Sequence, residues 1–246
     1  MGKKSKVANY KQKAPKAERV QSMFDQGWDP LGGEIRRDKK YMKTVKPRSE
    51  GQRDLMQAIK DHNLILAMGP AGTGKTYLAI SAAVEAFEKG EVDRIILSRP
   101  AIEAGENIGF LPGDLQDKMA PYLRPLYDAL NDRLGMKKMK QLIDSGEIEI
   151  APVGYMRGRT LNNAFVVIDE AQNCTYAQLK MIMSRLGWHS TMVITGDPDQ
   201  SDLLTGLSGL ADMAHRLKPV NGIAVERLEE TDIVRHPLVA SMLNVI

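Results

Sequence analysis

The 246-residue sequence holds a single cysteine, Cys174, so no intramolecular disulfide can form, and one Cys with four scattered His cannot assemble a structural zinc site. Aromatic residues make up only 5% of the chain, and no aromatic-rich motif for stacking nucleic-acid bases stands out. No apolar run approaches the roughly 20 residues that cross a bilayer. The basic start, Met1 to Lys16, is not followed by the apolar stretch of a secretory signal. No membrane span, intramolecular disulfide or fibrous structure is therefore expected, and a reducing, cytoplasmic setting is. The hydrophobic share of 43% and charged share of 26% are those of an ordinary globular chain.

Charge is what the sequence distributes unevenly. Residues 1–48 carry 14 Lys/Arg against 5 Asp/Glu, a balance of +9, which leaves −6 for the remainder of a chain whose total is +3. Residues 1–47 are expected to form a basic, flexible tail, because a segment poor in aliphatics cannot bury enough surface to offset its ordering entropy. A solvated tail and a salt-dependent nucleic-acid-binding arm are both compatible with this composition.

From residue 48 onward the pattern becomes that of one folded domain, 48–246. Ser49 to Asp61 reads as a helix, with Ser49 and Gln52 in capping-box spacing. Five apolar runs read as buried strands: Leu64 to Met68, Arg94 to Ser98, Ala164 to Asp169, Thr191 to Thr195 and Gly222 to Arg227. Helical patterns separate most of them, which predicts an α/β fold with a parallel sheet covered by helices. A helical insertion, about 103–159, separates the second and third strands, with helices expected around Leu115 to Leu134 and Lys137 to Ser145. Functional loops should lie at the carboxyl ends of the strands.

Gly69-Pro70-Ala71-Gly72-Thr73-Gly74-Lys75-Thr76 matches G-x-x-x-x-G-K-[ST] and follows an apolar strand, with a helical run from Thr76 to Glu88 behind it. Glycines let backbone N–H groups curl around phosphate oxygens, and the helix N-terminus adds a favourable dipole. Lys75 would reach the β and γ phosphates of ATP, and the Thr76 hydroxyl would ligate magnesium. Phe165 to Glu170 is an apolar strand ending in two acids, as in a Walker B element. Asp169 would hold magnesium through water and Glu170 would polarise the attacking water. Small-molecule kinases usually lack the second acid, so Glu170 favours hydrolysis over transfer. Adjacent carboxylates need a cation or hydrogen bonds to offset their repulsion.

With Asp169-Glu170-Ala171-Gln172-Asn173, and Thr195-Gly196-Asp197-Pro198-Asp199-Gln200 after the fourth strand, the sequence resembles the PhoH family of phosphate-starvation-inducible proteins. Further matching stretches are Ser98-Arg99-Pro100-Ala101, Glu103 to Glu106, Gly109 to Gly113, Arg157 to Thr160 and Arg235-His236-Pro237, so the resemblance covers about residues 48–240. It implies a RecA-like P-loop ATPase related to the first motor domain of superfamily 1 helicases. Position by position, it implies that Gln52 contacts adenine, that Gln200 sits beside the γ-phosphate, and that Asp197 supports the site. Thr175 and Gln178 have capping-box spacing, which starts a helix, Tyr176 to Leu186, beneath the acidic loop.

Superfamily 1 helicases close the ATP site with arginine from a second motor domain, and only 19 residues follow Arg227 here. An arginine finger is worth about 10³ to 10⁵ in rate, so one from a neighbouring subunit is expected. This implies a homo-oligomeric ring, a hexamer, with Arg235, Arg159, Arg157 and Arg185 as candidate fingers and Arg235 placed first. The expected partner is single-stranded nucleic acid, RNA before DNA. The alternative is a nucleotide-gated binding or assembly protein with slow ATPase and no motor activity.

Overall fold

The computed structural model describes residues 44–100, 115–204, 206–234 and 242, with backbone alone at 115–121. The basic segment up to residue 43, the stretch 101–114 of the insertion and Arg235 with its neighbours His236 and Pro237 lie outside the described residues.

Six strands form one sheet: β1 (Leu64–Met68), β2 (Arg94–Arg99), β3 (Ile148–Pro152), β4 (Ala164–Ile168), β5 (Thr191–Gly196) and β6 (Ile223–Arg227). All neighbours pair in parallel, in the order β3-β2-β4-β5-β1-β6. Six helices cover it: α1 (Glu50–Asp61), α2 (Lys75–Glu88), α3 (Leu115–Leu134), α4 (Met136–Asp144), α5 (Tyr176–Met183) and α6 (Leu210–Leu217). This is the expected α/β architecture, and its strand order is RecA-like, with one strand, β5, separating the strand before the phosphate loop from the strand before the acid pair.

The apolar runs are continuous because both faces of the sheet are covered. Alternate residues feed opposite cores, as the two-residue period of a strand requires. Ile65, Ala67, Ile95, Leu97, Phe165, Val167 and Val193 pack with Leu55, Leu78, Val84, Leu126, Leu130 and Met139 from α1 to α4. Leu64, Leu66, Ile96, Val166, Ile168, Met192 and Ile194 pack on the other side with Leu179 and Ile182 of α5 and Leu210 and Met213 of α6.

Several boundaries differ from the sequence expectation. The insertion contributes a strand as well as helices: β3 pairs with β2 at the sheet's edge, Ile148 opposite Ile95. Its sequence, IEIAP, is short and follows charged residues, so it carries little strand signal. Helix α5 stops at Met183, and Arg185 and Leu186 close it with turn hydrogen bonds to Ile182 and Met183. The N-cap of α1 is half of a capping box: Ser49 Oγ accepts from Gln52 N, while the Gln52 side chain turns elsewhere. The box at Thr175 and Gln178 is complete.

Ile95 lies at the centre of the first core, fully buried. Ile95→Ala is expected to cost about 2–5 kcal/mol of unfolding free energy, read as a lower denaturant midpoint at unchanged slope.

Candidate nucleotide site

Three adjacent strands, β1, β5 and β4, release their carboxyl ends side by side, which brings together loops that are distant in sequence. After β1 the chain enters the phosphate loop. Gly69 has φ 138°, its N–H donates to Gly196 O at 3.2 Å, and a Cβ placed there would stand 2.2 Å from Leu228 O. Only glycine satisfies both the conformation and the approach. Gly74, with φ 87°, is the N-cap of α2, and no side chain caps that helix. The first turn of a 14-residue helix thus opens into the loop without a carboxylate or hydroxyl taking its N–H groups.

Lys75 is buried, and Nζ donates to Gly69 O at 2.6 Å and Pro70 O at 2.7 Å. Burial pulls its pKa down, and the charges of Asp197, Glu170 and Asp169 act against that. The ammonium therefore stands at the meeting point of all three loops.

Asp169 follows β4, with its N–H donating to Ser98 O at 2.8 Å. Its Oδ1 accepts from Thr76 Oγ1 at 2.6 Å and from Thr195 Oγ1 at 2.8 Å, so one carboxylate oxygen ties α2 to β5. Glu170 has φ 54°, a left-handed conformation that a side chain adopts at a cost and that marks functional turns. The cation demanded by adjacent acids is Arg99 at the end of β2: Nη2 lies 3.0 Å from Glu170 Oε1, and Nη1 lies 4.0 Å from Asp169 Oδ2. Arg99 Nη1 also donates to Tyr122 O in α3 at 2.9 Å.

Gln172 Nε2 donates to the other oxygen of Glu170, and its Oε1 accepts from Asp197 N at 3.0 Å. Asn173 exchanges two bonds with Asp202, Nδ2 to Oδ2 at 3.0 Å and Asp202 N to Oδ1 at 2.8 Å. The loops after β4 and β5 are thus sewn together, and Gly196 allows it, since a Cβ there would meet Gln172 Oε1 at 2.8 Å. Asp197 is buried, whereas the Gln200 side chain is exposed and its N–H donates to Asp197 O.

The sequence places Arg99 and Gln172 in motif stretches without assigning either a role. The parallel register carries the missing signal, because Ser98 pairs with Ile168 and so sets Arg99 beside Asp169. Gln52 is buried on the outer side of the phosphate loop, donating to Thr73 O and accepting from Arg48 N, each at 2.9 Å. Both ends of its amide are engaged with backbone. Among the candidate fingers, Arg159 forms a two-pronged pair with Glu149, and Arg185 donates to Arg159 O and Met181 O. Arg157 is exposed, with no ion pair to the described residues. Arg235 falls just past Val234, whose N–H donates to Gly72 O at 3.0 Å. Cys174 is buried, and its thiol is pushed up to about 12, which makes it a packed, unreactive group.

A PhoH-like protein family model matches residues 44–246. The chain belongs to the PhoH-like family. A PhoH-like protein of Bacillus subtilis is 54% identical over 203 residues, covering 82% of this chain and 64% of that protein. Protein PhoH of Escherichia coli is 44% identical over 211 residues, covering 85% of this chain and 60% of that one. The chain thus spans about three-fifths of the length of these relatives. Among solved structures, the large terminase of a thermophilic bacteriophage superposes with TM-score 0.48 at 12% identity, covering 81% of this chain and 50% of that one. Family membership and the phosphate loop together make this a P-loop nucleotide-binding domain.

The residues fit a magnesium ion shared with phosphate. A hydroxyl and a carboxylate in direct contact, Thr76 and Asp169, are hard oxygen donors of the kind magnesium takes in ones and twos alongside phosphate oxygens. Among the described residues no group of three His, Cys, Asp or Glu offers an all-protein metal cage.

Beside the site, Asp232 joins the segment after β6 to the start of α1. This buried carboxylate accepts from Gly51 N at 3.2 Å and Glu229 N at 2.8 Å, tying the segment after β6 to α1. The Ser49 hydroxyl, then the Glu229 and Gly51 amides, hold its pKa below the usual carboxylate value. A depressed folded pKa contributes stability above the unfolded value, about 3.9, and loses it as pH falls through the folded one. Asp232→Asn is therefore expected to lower the melting temperature at pH 7, and the deficit should shrink below about pH 4 in a thermal-melt series.

Proposed function

We propose that this domain binds ATP with magnesium and hydrolyses it, working on single-stranded nucleic acid, RNA before DNA, as a homo-oligomeric ring. The observation that carries the hydrolytic half is the convergence of Lys75, Thr76, Asp169 and Glu170, with Thr76 bonded to Asp169 and the acid pair held by Arg99. The reaction is transfer of the γ-phosphoryl group to water.

In this reading the backbone of Gly69 to Gly74 and the first turn of α2 hold the β and γ phosphates. Lys75 exchanges its loop carbonyls for phosphate oxygens, a trade that lets the loop open around the ligand. Thr76 and Asp169 hold magnesium, which when bound offsets charge on the phosphate oxygens. Glu170 orients water and takes its proton, being the less buried acid. Asp197 supports Lys75, and exposed Gln200 lies free to meet the γ-phosphate. Gln52, bonded to Thr73 O, sets the loop's outer wall and borders the adenine position.

Support for a finger in trans is that Arg159 and Arg185 are already committed within the domain. Arg157 is exposed, and Arg235 follows a residue bonded to the phosphate loop. A hexamer is the ring size proposed. Support for nucleic acid is the basic charge of residues 1–48 beside an acidic remainder. Among the described residues no helix is long and apolar enough to cross a membrane, and a cytoplasmic location accords with the reading.

Steady-state phosphate release tests it, measured with and without single-stranded RNA or DNA across protein concentration. Rates should rise faster than linearly with concentration and be stimulated by RNA. Lys75→Ala should abolish nucleotide binding, and Glu170→Gln should cut turnover about 10²- to 10⁴-fold with ATP still bound. Binding of ATP with no release above the variants under any condition would replace hydrolysis by a nucleotide-gated assembly role.

A further inference from the structure

Glu170 sits in a left-handed turn, φ 54°, and a non-glycine residue persists there only when its surroundings over-determine it. Two side chains do so. Arg99 takes Oε1 and Gln172 takes Oε2, so each carboxylate oxygen has a separate anchor. Gln172 belongs to the same loop, but Arg99 comes from another strand and is itself held elsewhere, by Tyr122 O of α3. Its side chain is 19% exposed, which limits screening of the pair by water.

Helix α3 carries Pro121 and Pro125, and Pro125 has no N–H to return to the carbonyl four residues earlier. The carbonyl that loses its helical donor is that of Pro121, and the guanidinium is received by the neighbouring carbonyl, that of Tyr122. The planar fork of arginine suits this double duty, with Nη1 on the helix and Nη2 on the acid.

We propose that Arg99 is a positioning residue that couples α3 of the insertion to Glu170, so that displacement of α3 turns the carboxylate away from the γ-phosphate. The proposal rests on the hydrolytic reading above and deepens it: the insertion controls turnover through one side chain. Lysine cannot replace it, because a single ammonium on a flexible stem does not bridge the helix carbonyl and the carboxylate in fixed directions.

The test uses the full chain with ATP and magnesium. Arg99→Ala should lower kcat about 30-fold while KM and the ATP dissociation constant stay within about twofold, since a misplaced catalytic group costs up to about 10²-fold without loss of ground-state binding. Arg99→Lys should recover only part of the loss. In a Glu170→Gln background, adding Arg99→Ala should change the residual rate by less than about threefold, because the two residues act as a unit. A full multiplicative loss in that background, or a loss borne by KM, overturns the proposal. Hydrogen exchange reads the coupling independently of turnover: Arg99→Ala should speed exchange around residues 122–126 and 170–175 together. If the wild type releases no phosphate, the hydrolytic reading fails, and exchange then decides the coupling alone. Faster exchange in both segments supports it, and a change in only one overturns it.

Discussion

Everything at this site hangs on one carboxylate oxygen, Asp169 Oδ1, which accepts hydrogen bonds from the hydroxyls of Thr76 and Thr195. Those three residues come from the ends of three adjacent strands or the helix that follows one, so a single acceptor fixes the spacing of three loops. Asp169 is almost fully buried, and its two hydroxyl donors satisfy the carboxylate there. The same hydroxyl-carboxylate contact is the place where magnesium fits. An ion entering there would take over part of what Thr76 now provides, and the structural bond and the binding function use the same atoms.

Around that point the motif loops act as one body. Gln172 reaches both Glu170 and Asp197, Asn173 locks Asp202, and Ser201 returns to Gln172 O at 3.0 Å. Low dielectric strengthens such bonds and makes each unsatisfied group costly, so the network has few intermediate arrangements. The loop after β5 is thus joined to Glu170 through the Gln172 amide.

Strands β1, β2, β4 and β5 were legible in sequence because each is short, apolar and buried on both faces, and the phosphate loop because its glycines, Lys75 and Thr76 follow one of them. Edge strand β3 was not, since Ile148–Pro152 is interrupted by Glu149, ends in proline and follows Gly146 and Glu147, and pairing with β2 makes it a strand. Arg99 could not be assigned a role because sequence does not state strand order; once β2 lies against β4, its position follows. Gln52 shows a competition between local and distant bonds. The spacing from Ser49 offers its side-chain oxygen the N-cap amide, but that oxygen accepts from Arg48 N instead, while the amide nitrogen donates to Thr73 O, 21 residues away. Asp232 was invisible for a similar reason, being 181 residues from the Gly51 amide it accepts.

The segment after β6 closes over the phosphate loop from behind: Leu228 N bonds to Met68 O, the Leu228 carbonyl crowds Gly69, and Val234 N bonds to Gly72 O. The glycines that free the loop to curl also leave it loose, and this strap restores its shape. A single proteolytic nick near residue 230 would therefore silence nucleotide binding while leaving every sequence motif of the site intact, and proteins damaged in this way would pass any inspection of their motifs.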